Sequence, residues 1–199
     1  MTYHATKRGL DLTAASLALV LLLPLMLSVA LAISLASRGA PLFGQRRVGR
    51  FGREFRMWKF RTMVADAEDR RADLIACSLE SQWLHLEHDP RVTRVGRVLR
   101  RTSLDELPQL FNVVCGDMSL VGPRPLPPVE QAGLPSWSHN RLEVRPGLTG
   151  LWQVMGRTEL DLQAMLRLDC EYVRDQSWRA DMWILVLTVP AVLTGRGAN

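Results

Sequence analysis

Adjacent carboxylates at Asp105 and Glu106 follow directly on a run of cations. Arg91, Arg94, Arg97 and Arg100 recur every three residues, Arg101 adds another, and no acid falls between Arg91 and Ser103. Side chains three apart share a helix face. The run is therefore either a solvated basic face or a wall turned toward phosphate. Ser103 and Glu106 have the spacing of a capping box, which would commit Glu106 to the backbone. Asp105 would then stand in the first turn, where unpaired N–H groups keep a carboxylate ionised. An ionised Asp with a neighbouring Glu and several arginines suits phosphate and a divalent cation, because Mg²⁺ takes one or two carboxylates plus substrate phosphates. A carboxylate is also a covalent nucleophile toward phosphorus. Arg124 lies between Pro123 and Pro125, and Arg145 precedes Pro146-Gly147. Proline restricts its own φ and its predecessor's backbone, so both arginines are offered from stiff loops, as a phosphate clamp requires.

These groups need elements to hold them. From Arg38 to Arg61 the chain carries many cations, Lys59 among them, and Glu54 as the lone acid. Gly39, Pro41, Gly44, Gly49 and Gly52 punctuate it, which predicts turns and short strands, with an edge strand over Phe55–Phe60. A basic patch beside an apolar segment can hold anionic headgroups. Nucleic acid competes for such a patch, but no helix-turn-helix, zinc-finger or RNP pattern accompanies it. Met63–Glu87 reads as a helix with acids near its start. Asp89-Pro90 reads as an N-cap followed by proline at the first position of a short helix. Met182–Gly195 is apolar but too short to cross a bilayer, so it is an interfacial or core-packed helix.

No charge occurs from Leu12 to Ser37. A straight helix of that length spans roughly 39 Å at ~1.5 Å per residue, enough for a hydrocarbon core. Pro24 interrupts it, which predicts a kink or break, and Ser28 one turn later could bond a freed carbonyl. Basic residues flank both ends: Lys7 and Arg8 before, and the Arg38–Arg53 cluster after. The positive-inside rule therefore favours both ends on the cytoplasmic side. A helix that enters, breaks at Pro24 and returns to the same face satisfies both features; a kinked single span is the alternative.

The chain has 199 residues, 47% of them hydrophobic and 23% charged, which excludes wholesale disorder. Mean hydropathy is +0.01, too low for a bundle of membrane helices. The formal charge is +5, and all cations but Lys7 and Lys59 are arginine, whose planar fork grips phosphate. Cys77, Cys115 and Cys170 are widely spaced without a CxxC pair, so a zinc site or disulfide framework is not expected. His4, His85, His88 and His139 form no HExxH.

The order of several blocks resembles the bacterial sugar transferase family, the monotopic polyprenyl-phosphate phosphoglycosyl transferases in their small single-domain form. The blocks are Lys7-Arg8…Asp11 with the proline-broken apolar segment, Gln45-Arg46-Arg47-Val48-Gly49, Lys59-Phe60-Arg61-Thr62-Met63, Asp89-Pro90-Arg91-Val92-Thr93, Ser103 to Leu110, Gly116 to Pro125, and Arg145 to Gly150. The resemblance implies a mostly helical α+β protein. A re-entrant helix over 1–38, broken at Pro24 and Ser28, would carry a cytoplasmic catalytic domain over 39–199 at the bacterial inner membrane. It implies transfer of a sugar-1-phosphate from a UDP-sugar to undecaprenyl phosphate, with Mg²⁺. Asp105 would be nucleophile and metal ligand, and Glu106 its partner acid. Lys59, Arg100, Arg124 and Arg145 would bind phosphates. The expected partners are the bilayer, the polyprenyl phosphate and the UDP-sugar, without nucleic acid; a homo-oligomer is compatible with the sequence. Leu126–His139 matches the family poorly. Two rivals stand beside this reading: a membrane-anchored phosphohydrolase using the same Asp, and a scaffold that binds anionic membrane without chemistry.

Overall fold

The computed structural model describes residues 2–37, 39–64, 66–67, 89–156 and 160–193. Helix α1 (Thr2–Ala36) is followed by strands β1 (Leu42–Val48) and β2 (Glu54–Phe60), then helices α2 (Arg94–Arg101) and α3 (Gln109–Cys115). Strand β3 (Ser119–Val121), helix α4 (Pro128–Ala132), strand β4 (Gly147–Thr149) and helices α5 (Leu151–Met155), α6 (Leu162–Arg174) and α7 (Trp178–Leu193) complete the order. Helix predominates over two small sheets, as the α+β expectation has it.

Helix α1 carries two apolar faces. Ala15, Met26, Val29 and Ile33 are buried against the rest of the chain, while Leu10, Leu17, Val20, Leu21, Leu27, Leu31 and Leu35 are exposed. A helix apolar all round belongs in a large core or in lipid. Its hydroxyls turn inward on their own backbone: Thr13 donates to Gly9 O, Ser28 to Pro24 O and Ser34 to Ala30 O, each at 2.9 Å. Such back-bonding satisfies polar groups where water is scarce. By length and composition α1 could cross a membrane. The expected break at Pro24 is not seen, for the helix runs unbroken through it. Ser28 bonds the carbonyl of Pro24 itself, not that of Val20, which Pro24 frees.

Both ends of α1 are fastened to the same body. At one end Asp181 of α7 accepts from Tyr3 Oη (2.8 Å), Lys7 Nζ (2.7 Å) and Tyr172 Oη (2.8 Å). Asp11 accepts from Ser119 Oγ at 2.7 Å. At the other end Arg61 donates to Ser37 O at 3.1 Å. The stretch between packs on Met57, Leu110 and Val113, then on Phe60 and Leu99.

Strands β1 and β2 pair antiparallel, from Leu42 opposite Phe60 to Val48 opposite Glu54. The Phe55–Phe60 strand is thus present. Beyond it, Met63 is extended and bridges Val92, so no helix starts at Met63; residues 65 and 68–87 of the expected helix, with Cys77 and His85, lie outside the described residues, as does His88. Helix α2 starts four residues later than Asp89-Pro90 suggests. Thr93 is its cap, accepting from Gly96 N, and Asp89 instead turns back on Arg91. Gly96 touches the backbone at Thr62, where a Cβ would overlap the Thr62 carbonyl oxygen. Replacing Gly96 with Ala should therefore destabilise the fold by about 1–3 kcal/mol, as overpacking does; thermal unfolding checks this.

Strands β3 and β4 are parallel, pairing Ser119 with Gly147 and Val121 with Thr149. They bring the loops that carry Arg124 and Arg145 together. Helix α7 buries Ile184 and exposes Met182, Trp183, Val186 and Val189, so it is packed on one side and apolar on the other.

Candidate active site

The construction begins with Asn112. Its Oδ1 accepts from Trp58 N (3.0 Å) and its Nδ2 donates to Arg56 O (2.8 Å), so α3 takes the place of a neighbouring strand on the free edge of β2. Lys59, next along β2, is thereby brought to the turn that precedes α3. Its Nζ donates to Glu106 Oε1 at 2.8 Å. Arg124 Nη2 reaches the same oxygen at 3.4 Å from the proline-flanked loop, and its guanidinium lies 5.9 Å from the Trp152 ring centroid.

Asp105 and Glu106 belong to a single 3₁₀ turn, Leu104–Glu106. The capping box does not form. Ser103 adopts the left-handed conformation (φ 55°) without a side-chain cap, and Glu106 is taken by Lys59 and Arg124 instead. A non-glycine residue at positive φ costs roughly 1–2 kcal/mol. That strain stands two residues before Asp105, a common setting for functional residues.

The two acids differ in environment. Burial pushes Glu106 up, but the Lys59 and Arg124 charges and hydrogen bonds outweigh it and hold the carboxyl at about 2. Burial pushes Asp105 above its ordinary value; Lys59, Arg100 and Arg124 oppose this, and the Glu106 charge adds to it. The place of Asp105 in the first turn of a helix is expected to favour the charged form; burial acts in the opposite direction and outweighs the surrounding cations. No described residue hydrogen bonds its carboxylate. One acid is locked as a structural anion, and the other is buried, basic for its type and without a donor among the described residues. Divergent carboxylates of this kind mark division of catalytic labour.

The arginine run is split among roles. Arg91 is buried and paired with Asp89 at 2.7 Å, Arg94 and Arg97 are exposed, and Arg100 donates from Nε to Thr62 Oγ1 at 3.0 Å. Of the expected phosphate ligands, Lys59, Arg100 and Arg124 therefore gather around Asp105. Arg145 does not. Its Nε donates at 2.8 Å to Gly116 O, at the opposite end of α3.

Two further residues hold this arrangement and are not evident from local motifs. Arg141 donates to the Arg124 carbonyl, to Gln131 Oε1 (2.9 Å) and to Asp169 Oδ2 (2.7 Å). Asp169 is 2% exposed, at an i+7 position on the stripe of α6 that also carries Leu162 and Leu166. An acid in an apolar stripe was the available signal.

No group of three or more metal-ligating side chains occurs among the described residues. Asp105, with Glu106 already paired, is instead the kind of sparse donor set that Mg²⁺ completes with substrate oxygens.

Known proteins match nearly the whole length of this chain in sequence. The bacterial sugar transferase family profile covers residues 2–195. The exopolysaccharide production protein ExoY of Rhizobium meliloti is 41% identical over 197 residues, covering 96% of this chain and 87% of that protein. The undecaprenyl-phosphate glucose phosphotransferase of Komagataeibacter xylinus is 45% identical over 204 residues, with 96% of this chain and 36% of its own length covered. For the undecaprenyl-phosphate galactose phosphotransferase of Salmonella typhimurium the figures are 40%, 96% and 41%. The chain spans less than half the length of several of these relatives, among them the galactosyl transferase CpsE of Streptococcus agalactiae, at 43% of its length. A match that runs from the first turn of α1 to just beyond α7, with the acidic pair and its cations inside it, places the chain in the bacterial sugar transferase family.

Proposed function

We propose that the protein is a sugar-phosphate transferase that moves a sugar-1-phosphate from a UDP-sugar to undecaprenyl phosphate, starting a membrane-linked polysaccharide. The observation that carries this is Asp105: a buried carboxylate without a hydrogen bond from the described residues, ringed by Lys59, Arg100 and Arg124. An anionic nucleophile must approach an anionic diphosphate, and those cations offset the repulsion; phosphoryl transfer is chiefly positioning and charge stabilisation.

In the proposed first step an Asp105 oxygen attacks the phosphorus bonded to the sugar. The bond from that phosphorus to the bridging oxygen breaks, and UMP leaves with the electron pair. In the second step a phosphate oxygen of the polyprenyl phosphate attacks the same phosphorus. The bond to Asp105 breaks, and the carboxylate is regenerated. Lys59 and Arg124 hold Glu106 as an anion throughout and also neutralise the transferred group. Mg²⁺, held by Asp105 and substrate oxygens, would supply further charge neutralisation.

The acceptor stays in the bilayer, so the site must lie at headgroup depth. The exposed apolar faces of α1 and α7 support this. Fastening of both ends of α1 to one polar body supports a monotopic placement on the cytoplasmic face, with both basic flanks on that side. Cysteines placed at Thr2 and Ala40 should both resist a membrane-impermeant thiol reagent applied to intact cells; labelling of one alone would establish a full span.

The test incubates the extracted protein with a panel of UDP-sugars, Mg²⁺ and undecaprenyl phosphate, following UMP and lipid-linked sugar. Steady release of free sugar phosphate without lipid would favour a hydrolase, and no UMP from any sugar would overturn the proposal. In the active reaction the acid limb of kcat/KM should lie above the ordinary carboxylate pKa of about 4. The sign follows from Asp105: its raised pKa means that falling pH protonates the nucleophile earlier, while Glu106, held near 2, remains charged. A pH–rate profile checks it.

A further inference from the structure

A second collection of cations lies at the far end of α3 from Asp105. It lines a solvent-open cavity between the start of α1, the β1–β2 turn and the loop before β4, with Lys7, Arg8, Asp11, Arg50 and Arg145 in its wall. Each arginine is fixed by a backbone carbonyl. Arg8 donates to Val113 O (2.6 Å) and Val114 O (2.9 Å), Arg50 Nε to Glu143 O (2.9 Å) and Arg145 Nε to Gly116 O (2.8 Å). Arg50 and Arg145 are thereby held through Nε, which leaves the Nη ends of both forks without a hydrogen bond to the described residues. Capping the C-terminal carbonyls of α3 accounts for Arg8. It does not account for Arg50, which reaches in from another element.

Charge balance within the cavity is one-sided. Lys7 is neutralised by Asp181 at 2.7 Å. Asp11 is the remaining acid in the wall, and it already accepts from Ser119 Oγ and Leu120 N. Three guanidinium groups therefore face one carboxylate. Burial, together with the Arg8 and Arg50 charges, pushes Arg145 below its usual range, so the three repel one another across a shared space. Two preorganised forks and a surplus of positive charge define an oxyanion site, and arginine forks match phosphate oxygens in pairs. His4, Lys7, Arg8 and Asp11 of the first turns of α1 stand in the cavity wall, and Tyr3 of the same turns stacks edge-on against Trp178 of α7.

We propose that this cavity is a second phosphate-binding site, separate from the Asp105 centre, which takes a phosphate or phosphodiester group through the paired forks of Arg50 and Arg145. The group comes either from a lipid headgroup or from soluble phosphate. A headgroup bound there would fix the depth and tilt of α1 at the bilayer surface, since the cavity wall includes its Lys7, Arg8 and Asp11.

The test is a set of thermal-shift titrations in neutral detergent. Sodium phosphate is compared with chloride at equal ionic strength, and micelles doped with phosphatidylglycerol are compared with micelles doped with phosphatidylcholine. All arms use an Arg124→Gln background, which weakens phosphate binding at the Asp105 centre. The expected result is a dose-dependent rise in Tm that Arg50→Gln weakens at least tenfold in apparent affinity. A rise with phosphate alone identifies a soluble ligand as sufficient; a rise only with phosphatidylglycerol identifies the headgroup. Where Arg50→Gln does not fold, Arg50→Lys retains the charge without the fork and should weaken binding several-fold. The proposal is overturned if no arm shifts the Arg124→Gln protein, or if the Arg50 variants respond as it does in every arm.

Discussion

Replacing Asp105 with Asn should end sugar-phosphate transfer, by a factor on the order of 10⁴ or more, while leaving the fold intact or slightly firmer. The activity loss follows from the proposed chemistry, since an amide cannot form the phosphorus bond; removal of a covalent nucleophile is among the largest single losses an enzyme shows. The stability gain follows from the geometry. Asp105 is 8% exposed and takes no hydrogen bond from the described residues, so the cost of desolvating its charge is only partly offset by the Lys59, Arg100 and Arg124 charges. An isosteric neutral side chain removes that cost. Function and stability therefore move in opposite directions at this position, as they do at residues kept for chemistry. Glu106→Gln should behave differently. It would leave Lys59 and Arg124 without their anion and so lower both activity and Tm. Unfolding curves and UMP release on the two variants separate the roles. Equal loss of stability in both would make Asp105 a structural acid and sink the nucleophile assignment.

Much of this site was legible because it is local. The acidic pair, the proline-flanked Arg124 and the glycine-punctuated basic hairpin announce themselves within a few residues. The misread features depend on partners far away in sequence. Ser103 and Glu106 have capping-box spacing, yet Lys59, 47 positions earlier, takes the Glu106 carboxylate. That meeting requires Asn112 to dock α3 on the edge of β2, and a single Asn inside a short apolar helix gives no warning of it. Arg145 shares the stiff-loop signature of Arg124, and the parallel β3–β4 pairing sets their loops side by side, but the Arg145 side chain turns to Gly116 O while Arg124 reaches Glu106. Pro24 lies inside α1 without ending it, and residues on both sides of the proline, Ala15 before it and Met26, Val29 and Ile33 after it, are packed on the body.

The second large effect is expected far from the acidic pair, at Asp169. Its Oδ2 takes both Arg141 Nε (3.2 Å) and Arg141 Nη2 (2.7 Å), and the two side chains are 2% and 3% exposed. Removing one member of so deeply buried a pair leaves an uncompensated charge and costs about 3–5 kcal/mol. Asp169→Ala should therefore lower stability by that amount in denaturant titrations. The consequence for chemistry is more specific. Arg141 also donates to the backbone carbonyl of Arg124, so the ion pair holds the loop from which Arg124 reaches Glu106. Asp169→Asn keeps the shape and one acceptor but loses the charge, and should fold with a smaller loss. In that variant Arg124 is less firmly placed, and kcat should fall more than tenfold, because small misplacements of a clamping residue are costly. If Asp169 serves packing alone, Asp169→Asn should keep full kcat whenever it is folded. If it positions Arg124, then adding Arg124→Ala to Asp169→Asn should produce little further loss, because the two act through one contact.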